Sequence, residues 1–179
     1  RSNALAHLAY TSGTTGKPKA IPLTHANVLA SVRGVILAWR WTEADVLVHA
    51  LPMQHAHGLT ALHLTLLTGS RSVVLPAFEP LALCNVIDEH RATVHFGVPT
   101  IYDQLLSSGA LAHADLSSLR LVTSGSAPLS SRISDAITAE LGTRPLERYG
   151  LTEAGFVLSN QVQRPLSADS VGSPLPGIE

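Results

Sequence analysis

The sequence predicts an α/β fold, with a mostly parallel sheet and helices on both of its faces. Three observations predict it. Short apolar runs alternate with amphipathic helical stretches along most of the 179 residues. Glycine or proline punctuates the short connections between them. Small and polar residues follow the strands, where sheets of this kind bind ligands.

The elements follow in order. Residues 5–10 and 19–23 read as strands around a polar loop. Thr24 caps a helix over 26–39 that turns Val28, Leu29, Val32, Val35 and Ile36 to one side. Residues 46–51 form a strand ended by Pro52, 57–67 a helix stopped by Gly69, and 72–75 a strand. Residues 79–90 are a helix with Leu81, Val86 and Ile87 inward. A strand over 93–96 ends at Gly97 and Pro99, and a helix over 100–106 stops at Gly109. Residues 119–123 are a strand, 129–141 a helix stopped by Gly142, and 145–149 the last strand. After Gly155 the glycines and prolines (Pro165, Gly172, Pro174, Pro176, Gly177) predict irregular chain.

Composition narrows the function classes. A net charge of -1 supplies no basic field for nucleic acid or an anionic membrane, so neither is expected as a partner. No apolar run reaches the length of a membrane span, and no secretory signal is evident. A single cysteine, Cys84, rules out an internal disulfide framework and suits a reducing, cytoplasmic setting; on a helix it fills the core. Nine histidines invite a metal, but His55 and His57 have no cysteine or carboxylate near them in sequence, which argues against zinc. With 45% hydrophobic and only 14% charged residues, part of the surface is expected to meet more protein.

The most informative stretch is Tyr10-Thr11-Ser12-Gly13-Thr14-Thr15-Gly16-Lys17-Pro18-Lys19-Ala20. Its glycines let backbone N–H groups approach an anion, its hydroxyls donate hydrogen bonds and its lysines add positive charge. That is the chemistry a polyphosphate requires. It differs from the common phosphate loop, which has four residues between its glycines and Ser or Thr after its lysine. Four further strand ends carry small or polar residues: Pro52–Leu59, Gly97–Thr100, Ser124–Pro128 and Gly150–Glu153. Each alone is a turn; together with the loop they suit a nucleotide site. Glu153, beside Thr152, is placed either to bind Mg²⁺ or to serve as a helix N-terminal acid. Arg148 is either a surface cation or a carboxylate clamp.

The loop 10–20, His55-Ala56-His57-Gly58, Ser124-Gly125-Ser126-Ala127-Pro128 and Tyr149-Gly150-Leu151-Thr152-Glu153 resemble, in order and spacing, motifs of the adenylate-forming (AMP-binding) superfamily. It includes acyl-CoA synthetases, luciferases and peptide-synthetase adenylation domains. The resemblance covers nearly the whole chain, through the segment 171–177. It implies a reaction in two steps. A carboxylate and ATP give an acyl-adenylate and pyrophosphate, and coenzyme A then takes the acyl group as a thioester.

The resemblance also implies roles. Thr11, Ser12, Gly13, Thr14, Thr15, Gly16, Lys17 and Lys19 would hold the β- and γ-phosphates, Lys19 with a catalytic part. Gly125, Ser126 and Ala127 would form the wall beside the adenine, and Glu147, Tyr149 and Gly150 would complete the nucleotide site. Thr152 would meet the α-phosphate and Glu153 would ligate Mg²⁺. His55, with His57 as the alternative, would gate the carboxylate from the nucleotide. Gly97, Val98 and Pro99 would wall the acyl pocket.

Glu147-Arg148-Tyr149-Gly150, residues 96–100 and Ala38-Trp39-Arg40-Trp41 look most like malonyl-CoA synthetases, in which an arginine at the position of Arg148 meets the second carboxylate. Gln54, Ala56 and Ala20 depart from the usual pattern. Such enzymes are about three times longer, so the chain is expected to be the central part of the large N-terminal domain. It would lack the mobile C-terminal domain, and alone would have negligible activity. The alternatives are an adenylation domain that loads a carrier protein and a non-catalytic nucleotide-binding module.

Overall fold

The computed structural model describes residues 2–11, 17–162 and 170–178. The chain runs β1 (Leu5–Thr11), β2 (Lys19–Thr24), α1 (His25–Trp39), β3 (Val46–His49), α2 (Ala56–Thr68), β4 (Arg71–Val74), α3 (Pro80–His90) and β5 (Val94–Gly97). It continues through α4 (Pro99–Ser108), a 3₁₀ turn (Ala110–His113), β6 (Leu121–Ser124), α5 (Ser131–Leu141), β7 (Leu146–Leu151), β8 (Gly155–Ser159) and β9 (Ser173–Pro174).

β1 and β2 pair antiparallel as a separate ribbon, with Thr11 opposite Lys19. The other strands form one sheet in the order β4-β3-β5-β6-β7-β8-β9. β3 to β7 are parallel, so each needs a helical crossover. The step from β3 to β4 runs one way across the sheet, and the steps from β4 to β7 run the other way. Right-handed crossovers then put α2 on one face and α3, α4 and α5 on the other. The packing agrees: α1 lies against α2 and β8, whereas α3 touches α4, and α4 touches α5. Sandwiched between layers, β3, β5 and β6 are buried at every residue, including the polar His49, His95, Thr123 and Ser124.

Local chemistry sets the ends of the helices. The Thr24 hydroxyl accepts from the Asn27 N–H while the Asn27 side chain accepts from the Thr24 N–H, closing a capping box at α1. The Ser130 hydroxyl does the same work for α5. Gly69, Gly109 and Gly142 end α2, α4 and α5 in the left-handed conformation. At the amino ends of the strands, buried Asp45 accepts from Arg120 Nε at 2.7 Å, the Thr93 hydroxyl at 2.7 Å and the Thr42 N–H at 2.9 Å. This ties β3, β5 and β6 together at the end opposite the predicted site.

Several expectations need correction. Pro165 lies outside the described residues, but the chain from Gly155 on carries two strands among those described: β8 pairs antiparallel with β7, and β9 with β8. Its prolines and glycines concealed this, since a short edge strand tolerates them. Pro99 does not merely end a strand; it occupies the first turn of α4, where its missing N–H costs nothing. Leu81 is 43% exposed on α3, and the inward face is Leu83, Cys84 and Ile87. Leu29 on α1 is likewise exposed. α5 starts at Ser131 because Ser130 caps it, and β3 stops at His49, short of Leu51. The turn Ala110–His113 was not anticipated.

Candidate functional site: a cleft beyond the strand ends

The strand order reverses between β3 and β5, and a cleft of about 540 Å³ opens beyond their carboxyl ends. The segments after β3, β5, β6 and β7 all contribute to it, through His55 and His57, Val98, Ser126, and Thr152 and Glu153. Thr11 reaches its rim from the ribbon. A smaller, more apolar cavity of about 190 Å³ shares Ala56, Thr152, Glu153 and Gly155 with the cleft and runs behind them between α1 and α2.

The residues expected from the sequence divide into those the cleft gathers and those placed around it. Thr11, His55, His57, Val98, Ser126, Arg148, Gly150, Thr152 and Glu153 line it. Lys19 is exposed but sits opposite Thr11 in the ribbon, so the lysine-bearing end of the ribbon faces the cleft rim. Ser12, Gly13, Thr14, Thr15 and Gly16 lie outside the described residues; Lys17 is exposed at their edge. Gly97 is buried, and a Cβ there would stand 2.6 Å from the Tyr102 ring. Pro99 opens α4.

β7 distributes the remaining residues by its period of two. Arg148 and Gly150 face the cleft, while Tyr149 is 44% exposed on the alternate side. Glu147 shares the side of Tyr149, and its carboxylate accepts from the Leu129 N–H at 3.4 Å. Ala127 is exposed in the loop preceding that residue. Of the residues expected around the nucleotide base, Glu147 and Tyr149 thus lie on one side of β7, whereas Gly150, Gly125 and Ser126 lie on the other with Arg148. Glu153 lies in the turn between β7 and β8, not at a helix start, which removes the helix-dipole reading.

Arg148 dominates the electrostatics. It is 5% exposed, and its Nη2 donates to the Ser126 hydroxyl at 3.3 Å. Its Nε is buried without a partner, and among the described residues no carboxylate forms an ion pair with it. Burial pushes its pKa down to about 10, so the side chain stays cationic at neutral pH. Gly125 makes room: a Cβ there would lie 2.5 Å from Arg148 Cζ. Gly150 lets β8 close on β7, since a Cβ there would meet the Phe156 backbone at 3.1 Å. Ser126 holds a left-handed backbone, φ 70°, that aims its hydroxyl at Arg148 on one side and at His57 Nδ1, 3.5 Å away, on the other.

His57 is buried, and its Nε2 has no partner. Burial, followed by the Arg148 charge and the His49 and His95 rings, holds its pKa well below the usual histidine value. It therefore contributes a neutral ring at neutral pH. His55 is the exposed N-cap residue of α2 and lines the cleft, its side chain making no cap hydrogen bond. Among the described residues no three histidine, cysteine or acidic side chains cluster to hold a metal. Phe156, inward on β8 and lining the cleft, was missed because its segment was read as irregular; the apolar run Phe156-Val157-Leu158 was the available signal.

The chain matches the AMP-binding enzyme family over residues 1–179. It is 37% identical to mouse malonate–CoA ligase ACSF3, mitochondrial, over 97% of this chain and 32% of that protein. It is also 37% identical to the long-chain-fatty-acid–CoA ligase of Bacillus subtilis, over 98% of this chain and 32% of that one. The ATP-bound MatB structure from Rhodopseudomonas palustris superposes with a TM-score of 0.90 at 39% identity, covering 99% of this chain and 35% of that one. The chain thus spans about a third of the length of these relatives.

Proposed function

Because the chain belongs to the AMP-binding enzyme family, we propose that it supplies the central part of the N-terminal domain of an AMP-forming acyl-CoA synthetase for malonate or a similarly short diacid. One observation carries the choice of acid. The malonate and long-chain-fatty-acid relatives are equally identical to this chain, so identity does not separate them. The cleft holds a buried guanidinium without an acidic partner among the described residues. An alkyl tail gives such a cation nothing, whereas a second carboxylate completes it with a charge-assisted pair.

The chemistry needs no nucleophilic side chain. A carboxylate oxygen of the acid bonds to the α-phosphorus of ATP as the bond to pyrophosphate breaks. The coenzyme A thiolate then bonds to the acyl carbon as AMP departs. Both steps build charge on oxygens, and fixed donors stabilise it. Thr152 meets the α-phosphate at the cleft, while Thr11 and Lys19 approach the phosphate tail from the ribbon. The loop 12–16 belongs to that grip by its composition. Gly125, Ala127, Glu147, Tyr149 and Gly150 border the base, His55 gates the mouth, and Val98 walls the acyl end with Gly97 and Pro99 behind it.

The donors present suit Mg²⁺. Glu153 and Thr152 offer hard oxygens at the rim, and Mg²⁺ takes one or two carboxylates with the substrate phosphates. When bound there, the ion would neutralise phosphate charge; Glu153 would hold it. The lone buried Cys84 fits a reducing compartment. The cytoplasm is one, and the mouse relative is named mitochondrial. Among the described residues no helix is long and apolar enough to cross a membrane.

The test is acid-dependent pyrophosphate release by the full-length enzyme carrying this segment, with ATP, Mg²⁺ and coenzyme A. Malonate should outpace propionate and long-chain acids, and Arg148→Gln should abolish that preference. A preference for long-chain acids would overturn the reading. The isolated segment should release no pyrophosphate.

A further inference from the structure

We propose that Phe156 is a specificity-determining positioning residue: its ring is the floor that fixes the Arg148 guanidinium toward a second substrate carboxylate. The inference rests on the reading of Arg148 as the clamp for that carboxylate.

Arg148 Cζ lies 4.0 Å from the centre of the Phe156 ring, inside the range of a cation–π contact. The ladder places them together. Phe156 pairs with Gly150, so Arg148, two residues earlier on the same face of β7, is its diagonal neighbour across the strands. Gly125 borders the guanidinium too, with space for no side chain of its own. The cation is confined by a backbone and an aromatic face.

The floor is itself rigid. Phe156 is 2% exposed, and its ring meets His57 edge-on at 5.6 Å and Trp39 at 6.0 Å. Its N–H donates to the Ser31 hydroxyl at 3.1 Å. A buried arginine is usually held by a carboxylate, which fixes its direction but also cancels its charge. An aromatic ring fixes the direction and leaves the charge available. The Ser126 hydroxyl is likewise neutral, and Nε has no partner. The site therefore holds the guanidinium with neutral contacts and keeps its field for an incoming anion. Preorganisation of this kind cuts the ordering cost at binding.

The experiment is a double-mutant cycle in the full-length enzyme carrying this segment. Phe156→Leu removes the aromatic face and keeps an apolar side chain; Phe156→Met is the second variant, should the first fold poorly. Each is combined with Arg148→Gln. Malonate and propionate, which differ by the second carboxylate, are compared by pyrophosphate release, and thermal unfolding is recorded in parallel. The expected result is a roughly tenfold drop in the malonate-to-propionate preference for Phe156→Leu, carried by KM for malonate more than by kcat. In the Arg148→Gln background the same change should leave that ratio within about twofold. Equal losses for both acids, or additive losses in the two backgrounds, would overturn the role of Phe156. If Arg148→Gln itself leaves the malonate preference intact, the clamp reading fails first, and the inference falls with it.

Discussion

Gly125 and Arg148 share one space: a methyl group on the glycine would fall 2.5 Å from the guanidinium carbon. Gly125 is not in the left-handed region that L side chains avoid, and the three atoms nearest to such a methyl all belong to the Arg148 guanidinium. Gly125→Ala should displace the guanidinium and raise KM for malonate roughly tenfold, in line with the cost of overpacking a full site. Steady-state kinetics with malonate checks it, and a matching loss with propionate would point to general disruption instead.

Glu153 stands in a turn at the cleft rim, beside Thr152. Glu153→Gln keeps the shape and removes the charge. If the carboxylate holds the metal, pyrophosphate release should fall on the order of a hundredfold, the scale of losing one transition-state contact. More Mg²⁺ should restore part of the rate. A loss of rate indifferent to Mg²⁺ would remove the metal role.

The ion pair of buried Asp45 with exposed Arg120 lies at the other end of the sheet. Asp45 is 3% exposed. Burial alone would raise its pKa, but hydrogen bonds from Arg120, the Thr42 N–H and Thr93, with the Arg120 charge, outweigh this and lower it. A carboxylate lowered in the folded state adds stability above its ordinary value of 3.8, and loses it as acid carries the pH through the folded value. Asp45→Ala leaves the Thr42 N–H and the Thr93 hydroxyl without their acceptor, while exposed Arg120 keeps the Trp39 and Arg40 carbonyls, and should cost about 2 kcal/mol in denaturant unfolding at neutral pH.

Acid should weaken the fold earlier through the buried histidines. Burial pushes the His95 pKa down to about 4 from 6.5, partly offset by its Nδ1 contact with the Val48 carbonyl at 3.0 Å. The unfolded chain binds this proton first. The stabilising effect of a neutral His95 is therefore complete above pH 6.5 and is lost between 6.5 and about 4. The loss amounts to about 3 kcal/mol. His95→Asn, whose amide can donate to the same carbonyl, should flatten the stability profile across that window.

Cys84 is buried, and burial, assisted by the Glu79 charge, lifts its thiol to about 11. It should resist aromatic disulfide reagents in the native state at pH 8 and react on unfolding. Rapid native labelling would show that α3 opens readily.

Residue order and hydrophobic period alone determined the alternation of elements, the parallel sheet and the placement of reactive residues after strands, because these depend on local geometry and burial. Thr11, His55, Ser126, Thr152 and Glu153 stood out because their motifs are contiguous in sequence, and all five line the cleft. The tertiary structure decided what depends on distant partners. It placed Glu147 and Tyr149 on one side of β7 and Arg148 on the other. It showed β8 closing over Gly150 where the glycines and prolines had suggested irregular chain. It brought Phe156 beneath Arg148, which no spacing announces, since the contact arises from cross-strand pairing. The surface-cation reading of Arg148 was likewise removed by burial, a property of the packed molecule and not of the residue.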